Sequence, residues 1–384
     1  MSIELITTWP QLAALETRWN DLAAGMPFRS WDWLATWWKH YGTAARGHVG
    51  NQPPNDRQLY LLAVYGEENY SNGNGERELI GIAPWYLDRS IVTGKVLRWL
   101  GSGEVCSDHL SLVCHPENQE HVAAAVADAL THTCDDWDRL DLDAVDADDG
   151  AVSALATQLE MRECLVSRQA ADACWVLDLP SSWDDYLASV SKSHRKQLRQ
   201  LDRQVLETER VEWHSATGSA DFDVAWNVLV DLHQRRRQSL GEPGCFASRT
   251  FHAFHREVSG CLLERGQLRL SWLTLDGQPA AAEYQFADGR TTYAYQSGLD
   301  PDRLADQPGR LSTILCVRAA LNEGHARFDF LRGNEPYKAH WRAEPRATWN
   351  YRIVPNRRLA RLRGRVLSLT GFAKSGFKIC SRVF

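Results

Sequence analysis

The chain has 384 residues, 44% hydrophobic and 24% charged, enough for two domains that each bury a core. A formal net charge of −6 excludes a general nucleic-acid binder, so no nucleic-acid partner is expected. Nine cysteines, an odd number with no CxxC pair, exclude a disulfide framework and a zinc site and read as the reduced thiols of a cytoplasmic protein. The opening residues lack the basic and apolar regions of a signal peptide. No run approaches the roughly 18 apolar residues that would span a bilayer.

Leu12, Leu15, Trp19 and Leu22 share one face of a predicted helix over Trp9–Ala23. Ser30 caps a second helix that Gly42 ends. Runs at 58–66 and 78–87 predict the strands of a hairpin with a long polar tip. A helix over Gln119–His132, an alternating strand over Asp138–Val145 and a short helix over 151–160 follow. From Ala173 the pattern restarts with the strand CWVLDLP and a helix begun by Ser182. A basic helix over Ser191–Glu209 and another helix over Asp221–Leu240 come next. Two Asp-Gly turns, at Asp276-Gly277 and Asp288-Gly289, separate three alternating runs and predict an antiparallel meander. A helix over 310–323 leads to a short strand, Arg327–Leu331, that breaks at Gly333. A polar loop then closes on Trp341.

The halves rhyme, with DRLDLDAV in the first answered by ARFDFLRG in the second. The reading is a tandem α/β repeat with halves at 1–170 and 171–354 and a tail at 355–384. The tail holds eight Lys or Arg and no acid, with Leu359, Leu362, Val366 and Leu369 at helical spacing. That is the pattern of an interfacial helix, so peripheral contact with the inner face of a membrane is expected.

Gln307-Pro308-Gly309-Arg310-Leu311 opens a helix, where unpaired N–H groups at the positive end of the dipole suit an anion such as a phosphate. The polar loop over 333–341 offers groups that can serve as a general base and as donors to a developing negative charge. Glu335, Tyr337 and Lys338 are candidates, with Tyr295 and Gln296 on the neighbouring strand. Tyr337 suits a general acid, and Lys338 a holder of phosphate or oxyanion. The plain alternative is a Glu335–Lys338 loop ion pair. Glu283, a single acid in an apolar strand, is either outward-facing or a base in the groove. Lys192, Arg195 and Arg199 read as a grip on an acceptor phosphate or as a solvated helix face. His233 on an amphipathic helix suits a satisfied core position. Asp108, beside His109, is a further candidate for the groove. No metal pattern such as HExxH is present, and no metal is expected.

Tyr295-Gln296-Ser297-Gly298-Leu299-Asp300, the loop 307–311 and GHARFDFLRGNEPYKAHW over Gly324–Trp341 come in a recognisable order. A strand, a glycine loop opening a helix, a strand and a polar loop resemble the cofactor cleft of GNAT-type acyl-CoA N-acyltransferases. The residues are similar to CelD-type acyltransferases of cellulose biosynthesis, relatives of the Fem-type aminoacyl transferases of peptidoglycan bridges. The loop departs from the usual Q/R-x-x-G-x-G/A, keeping Gln and one Gly, and Pro308 removes a donor. The resemblance implies a tandem GNAT-like fold, each half a mixed, mostly antiparallel sheet flanked by helices. It implies acetyl-CoA or another acyl-CoA as co-substrate, met by Tyr295, Gln296, Gln307, Gly309, Arg310 and Leu311. The implied acceptor is an amine or hydroxyl of a saccharide or phosphate-linked cell-envelope precursor, with His233 on the acceptor side of the cleft. Two other readings stay open: an aminoacyl-tRNA-dependent Fem-type transferase, and a non-catalytic carbohydrate- or partner-binding module.

Overall fold

The computed structural model describes residues 1–42, 56–68 and 77–369. Its described residues form two compact units, one of 1–172 with 347–369, the other of 173–346. In the first, β1 (Ser2–Ile6) precedes α1 (Trp9–Ala13), α2 (Glu16–Ala23) and α3 (Trp31–Trp37). Then β2 (Asp56–Glu68), β3 (Arg77–Ser90) and β4 (Gly94–Trp99) form an antiparallel meander, with a two-residue β5 (Val113–Cys114) on β3. The crossover helix α4 (Gln119–His132) returns the chain to β6 (Arg139–Asp146), which lies parallel to β4. After α5 (Gly150–Met161), β7 (Leu165–Asp178) leads into the second unit.

That unit opens with α6 (Trp183–Ser189), α7 (Lys192–Leu201), β8 (Val211–Ser215), α8 (Ser219–Ser239) and α9 (Arg249–Glu264). Its meander is β9 (Leu268–Leu275), β10 (Gln278–Ala287) and β11 (Thr291–Leu299). The crossover helix α10 (Pro308–Asn322) brings β12 (Arg327–Arg332) parallel to β11, and α11 (Pro336–His340) follows. The chain ends its described part with β13 (Glu344–Val354) and α12 (Arg358–Leu369).

The first sheet runs β1-β2-β3-β4-β6-β13 and the second β8-β9-β10-β11-β12-β7. At each step the sense is the same: three antiparallel pairings, one parallel and one antiparallel. Each unit is thus a mixed, mostly antiparallel sheet flanked by helices. The last strand of each sheet is supplied by a distant part of the chain. The end of β7 pairs with β12, and β13 pairs from Thr348 with β6. For that reason the chain from Ala347 falls with the first unit, whereas the sequence reading carried the second half to 354.

Local boundaries follow side-chain chemistry. Ser30, Asp149, Ser182, Ser191 and Ser248 each accept an N–H of the turn they open, capping α3, α5, α6, α7 and α9. The single helix expected over Trp9–Ala23 is two, because the Leu15 N–H turns back to the Leu12 carbonyl at 3.1 Å and closes α1. The basic helix expected to Glu209 widens into a π turn at Asp202–Leu206. There Asp202 is buried and meets Arg318 at 2.7 Å. No helix among the described residues is long and apolar enough to cross a membrane. Of the basic tail, residues 370–384 lie outside the described residues.

Candidate functional site

In the second unit β11 and β12 pair at only three positions, Thr291–Tyr293 with Arg327–Asp329. Beyond these, β11 continues to Leu299 and β12 to Arg332 without pairing to each other. Both strands are distorted where they part. The β10–β11 register slips so that Tyr295 is the extra residue, and Leu331 of β12 takes a left-handed φ of 59°. The Asp329 carboxylate holds that kink by accepting the Leu331 N–H at 2.7 Å.

The opening leads to the start of α10. Gln307, at φ 55°, offers the first turn no side-chain cap. Pro308 has no N–H, and the N–H groups of Arg310 and Leu311 turn back to the Gln307 carbonyl. Gly309 therefore presents the remaining donor of the turn, at the positive end of a 15-residue helix. The Arg310 guanidinium lies beside it and donates to two neutral amides, Gln307 Oε1 at 2.9 Å and Gln197 Oε1 at 3.1 Å. Among the described residues no carboxylate pairs with it. A half-buried cation at a helix N-terminus, with no carboxylate partner among the described residues, can pair with a phosphate. Leu311, by contrast, is a core residue of the unit.

Glu283 lies under that first turn. Its side chain faces α10, fully buried, and Ser312 Oγ is 2.5 Å from Oε1 and 3.2 Å from the Gly309 carbonyl. A hydroxyl has one proton and cannot donate to both. Burial pushes the Glu283 carboxyl up to about 8, the Ser312 hydrogen bond opposing only in part. At neutral pH a protonated Glu283 can donate to Ser312, which is then free to donate to Gly309. The acid is neither outward-facing nor open to a groove; it props the loop from below.

The expected polar loop after β12 is the short helix α11, begun by Pro336 at its first turn. Lys338 is fully buried, and its ammonium donates to the carbonyls of Leu331, Arg332 and Gly333 at 3.1, 2.9 and 3.2 Å. It also pairs with Glu335 at 2.8 Å. All the donors of Lys338 are thus engaged, and Glu335 is its counter-ion. The Tyr337 ring packs edge-on against Phe330 at 5.9 Å.

Tyr295 turns to the other face of the sheet. Its hydroxyl meets His255 Nε2 at 3.0 Å, and His255 Nδ1 and Ser259 Oγ meet the Tyr284 hydroxyl. All four are buried, and Gln296 is nearly so. His233 sits on α8 with Nδ1 at 2.9 Å from the Ser297 carbonyl and Nε2 at 3.2 Å from Cys245 Sγ. Arg195 donates to the carbonyls of Leu187, Ala188 and Val190 and so caps the end of α6, while Lys192 and Arg199 are exposed. In the first unit Asp108 is buried and its neighbour His109 pairs with Asp146 at 2.8 Å. Near this pair a cavity of about 220 Å³ is lined by Arg29, Gln119, Asp146 and Asp149.

Sequence reasoning missed the pair His194–His340, whose ring centroids lie 3.9 Å apart with the planes tilted by 36°. Burial, with His340 and Arg310 nearby, pushes His194 down to about 4; burial and Arg310 also lower His340. It missed α9 with His255 and Ser259, although Phe251, Phe254, Val258 and Leu262 fall at helical spacing. It did not pair Cys245 with His233.

Residues 192–339 match the family model described as an acetyltransferase (GNAT) domain. No curated protein matches the sequence. Among solved structures the chain is similar to "Crystal structure of FemX" at 12% identity, covering 94% of this chain and 99% of that one, with a TM-score of 0.63. It is also similar to a conserved protein of unknown function from Bacteroides thetaiotaomicron VPI-5482 at 9% identity, covering 92% and 100%, with a TM-score of 0.53. At such identities the likeness establishes the fold. The fold is a tandem GNAT-like one, the same strand order built twice, with the GNAT match lying in the second unit.

Proposed function

We propose that the protein is an acyltransferase that takes an acyl group, acetyl in the first instance, from acyl-CoA held by the second unit. The observation that carries this reading is Arg310, a cation without a carboxylate partner among the described residues, beside the uncapped start of α10. In it, Gly309 and Arg310 hold the pyrophosphate, and the parted strands β11 and β12 give the pantetheine arm its slot. The acceptor is an amine or hydroxyl of a saccharide or envelope precursor. Lys192 and Arg199, exposed on α7, are the cations left to meet a phosphate on it. Recruitment to an anionic membrane through the basic tail belongs to the same reading. Leu359 and Leu362 of α12 are exposed, while Arg357 and Arg363 face Asp138 of their own unit.

Isothermal calorimetry with acetyl-CoA tests the donor site. A Cβ on Gly309 would sit 3.3 Å from Leu299 Cδ1, and the branches of valine would also cover the Gly309 N–H. Gly309→Val is therefore expected to weaken binding in a folded protein, and unchanged affinity would remove the loop from the site. The likeness to FemX over nearly the whole chain favours a second reading, aminoacyl transfer of the Fem type. Binding of charged tRNA with no response to CoA would select it. Binding of neither would leave the non-catalytic module.

A further inference from the structure

His233 and Cys245 form a pair with a fixed proton arrangement. A backbone carbonyl only accepts, so Nδ1, at 2.9 Å from the Ser297 oxygen, carries the ring proton. Burial, together with the nearby Arg237, holds the ring in its neutral form, the Ser297 hydrogen bond opposing. Nε2 therefore presents a lone pair, and Cys245 Sγ lies 3.2 Å from it. That is the geometry of a thiol with a base in reach.

The loop that carries the thiol is tied down on both sides. Gln234 donates to the Pro243 carbonyl at 2.8 Å, and buried Arg237 pairs with Glu242 at 2.6 Å. Gly244 adopts φ 72°, and a Cβ there would lie 2.2 Å from Gln234 Oε1. The backbone at His233 is pressed on β11: a Cβ on Gly298 would lie 2.6 Å from His233 N. Ser297 and Gly298 belong to the length of β11 that has parted from β12. One imidazole and two hydrogen bonds thus separate the sulfur from the wall of the proposed thioester slot. Cys245 is partly exposed, whereas Cys174 and Cys316 are buried.

We propose that Cys245, with His233 as its base, is a nucleophile that accepts the acyl group as an S-acyl-cysteine before transfer. This rests on the acyl-donor reading above. The Cys245 proton passes to His233 Nε2 as the sulfur bonds to the acyl carbon. Collapse of the tetrahedral intermediate breaks the acyl–CoA bond, and the departing CoA thiolate takes the proton from His233. The exchange is thioester for thioester, with no net redox change. The acceptor's amine or hydroxyl then attacks the S-acyl-cysteine and releases the thiol.

The test treats the full chain, without acceptor, with acetyl-CoA or with the S-acetyl thioester of N-acetylcysteamine, a donor that has no phosphate. Peptide mass spectrometry after acid quench locates the acetyl group. The expected result is one acetyl group on Cys245, formed faster than on Cys106, which is also partly exposed. His233→Gln should slow it about 100-fold, the contribution of a positioned base. Cys245→Ala should remove the label. Labelling by the small thioester together with no calorimetric response to CoA would support the thiol and overturn the donor site. Binding of CoA with no acetyl on Cys245 from either reagent would sink the covalent route and leave the donor site standing. The comparison with Cys106 is made within the native molecule, so it holds even if His233→Gln misfolds. Equal rates at the two cysteines would also overturn the proposal.

Discussion

The two units share a strand order and differ in what stands at the start of the crossover helix. In the second, α10 opens with Pro308-Gly309-Arg310; in the first, the approach to α4 is Pro116-Glu117-Asn118, with Glu120 in its first turn. An acid there satisfies the helix dipole from within the chain and repels a phosphate; an arginine leaves the dipole for a ligand and adds to its pull. The strands beneath differ in the same way. The β10 interior holds Glu283, while its counterpart β3 runs LIGIAPWYL from Leu79 to Leu87 without an acid. On the proposed reading, a duplicated scaffold keeps its packing in both copies and its anion site in one.

The largest effect that separates the units concerns how each leaves its parallel strand. After β12 the Lys338 ammonium bridges three carbonyls. After β6 the Asp149 side chain caps α5 through the Val152 N–H at 2.8 Å. Lys338→Ala strips three buried acceptors and a counter-ion at once and is expected to cost about 3–5 kcal/mol. Urea unfolding measures it. A loss under about 1 kcal/mol would show that water replaces the ammonium, and would free Lys338 for a role in the slot.

Next in size is the donor site. Arg310→Ala should weaken acetyl-CoA binding by about 1.5–3 kcal/mol, the worth of a hydrogen bond to a charged group, which is roughly 10- to 150-fold. Glu117→Ala, in the first unit, should leave it unchanged. An equal loss in both variants would break the distinction between the units.

Much of this was legible in the chain because periodicity is local. The Asp-Gly turns marked the β9–β11 meander, and α4 was read to the residue. The pairing of β13 with β6 was not legible, since nothing within a strand says which sheet it will join. Arg310 was legible from a Pro-Gly pair opening an apolar helix. For Lys338 the plain alternative, an ion pair with Glu335, is what forms, but its burial was not legible, because a lysine in a polar segment normally reaches solvent. Its burial follows from the kink at Leu331, which leaves carbonyls of β12 without strand partners. His233 and Cys245 are twelve residues apart across a turn, and only the folded loop brings them together.

Glu283 gives the second unit a pH dependence that the first lacks at the corresponding place. Its carboxyl is raised from the usual 4.5 to about 8, so the folded chain keeps a proton that the unfolded chain gives up. Stability from this group is full below about pH 4.5, falls as pH rises, and levels off above about pH 8. The slope is at most about 1.4 kcal/mol per pH unit. Glu283→Gln keeps a donor for Ser312 and cannot ionise. It should match the native protein at pH 5 and exceed it increasingly towards pH 8 in urea midpoints. Parallel curves for the two proteins would mean that Glu283 ionises at its ordinary value.

The smallest effect returns to the first unit. Asp149 caps α5 and meets Arg29 at 3.5 Å. Arg29 in turn donates to the His109 carbonyl. Loss of a cap costs about 1 kcal/mol, and a partly exposed ion pair at that distance adds a fraction more. Asp149→Asn retains a cap acceptor and loses the charge; Asp149→Ala loses both. The expected order of urea midpoints is native, Asn, Ala, with the larger step from Asn to Ala. If the larger step falls between Asp and Asn, charge and not capping holds this turn. The first unit would then leave its parallel strand by the same means as the second, with an ion in place of a hydrogen bond, and the contrast drawn between Lys338 and Asp149 would close.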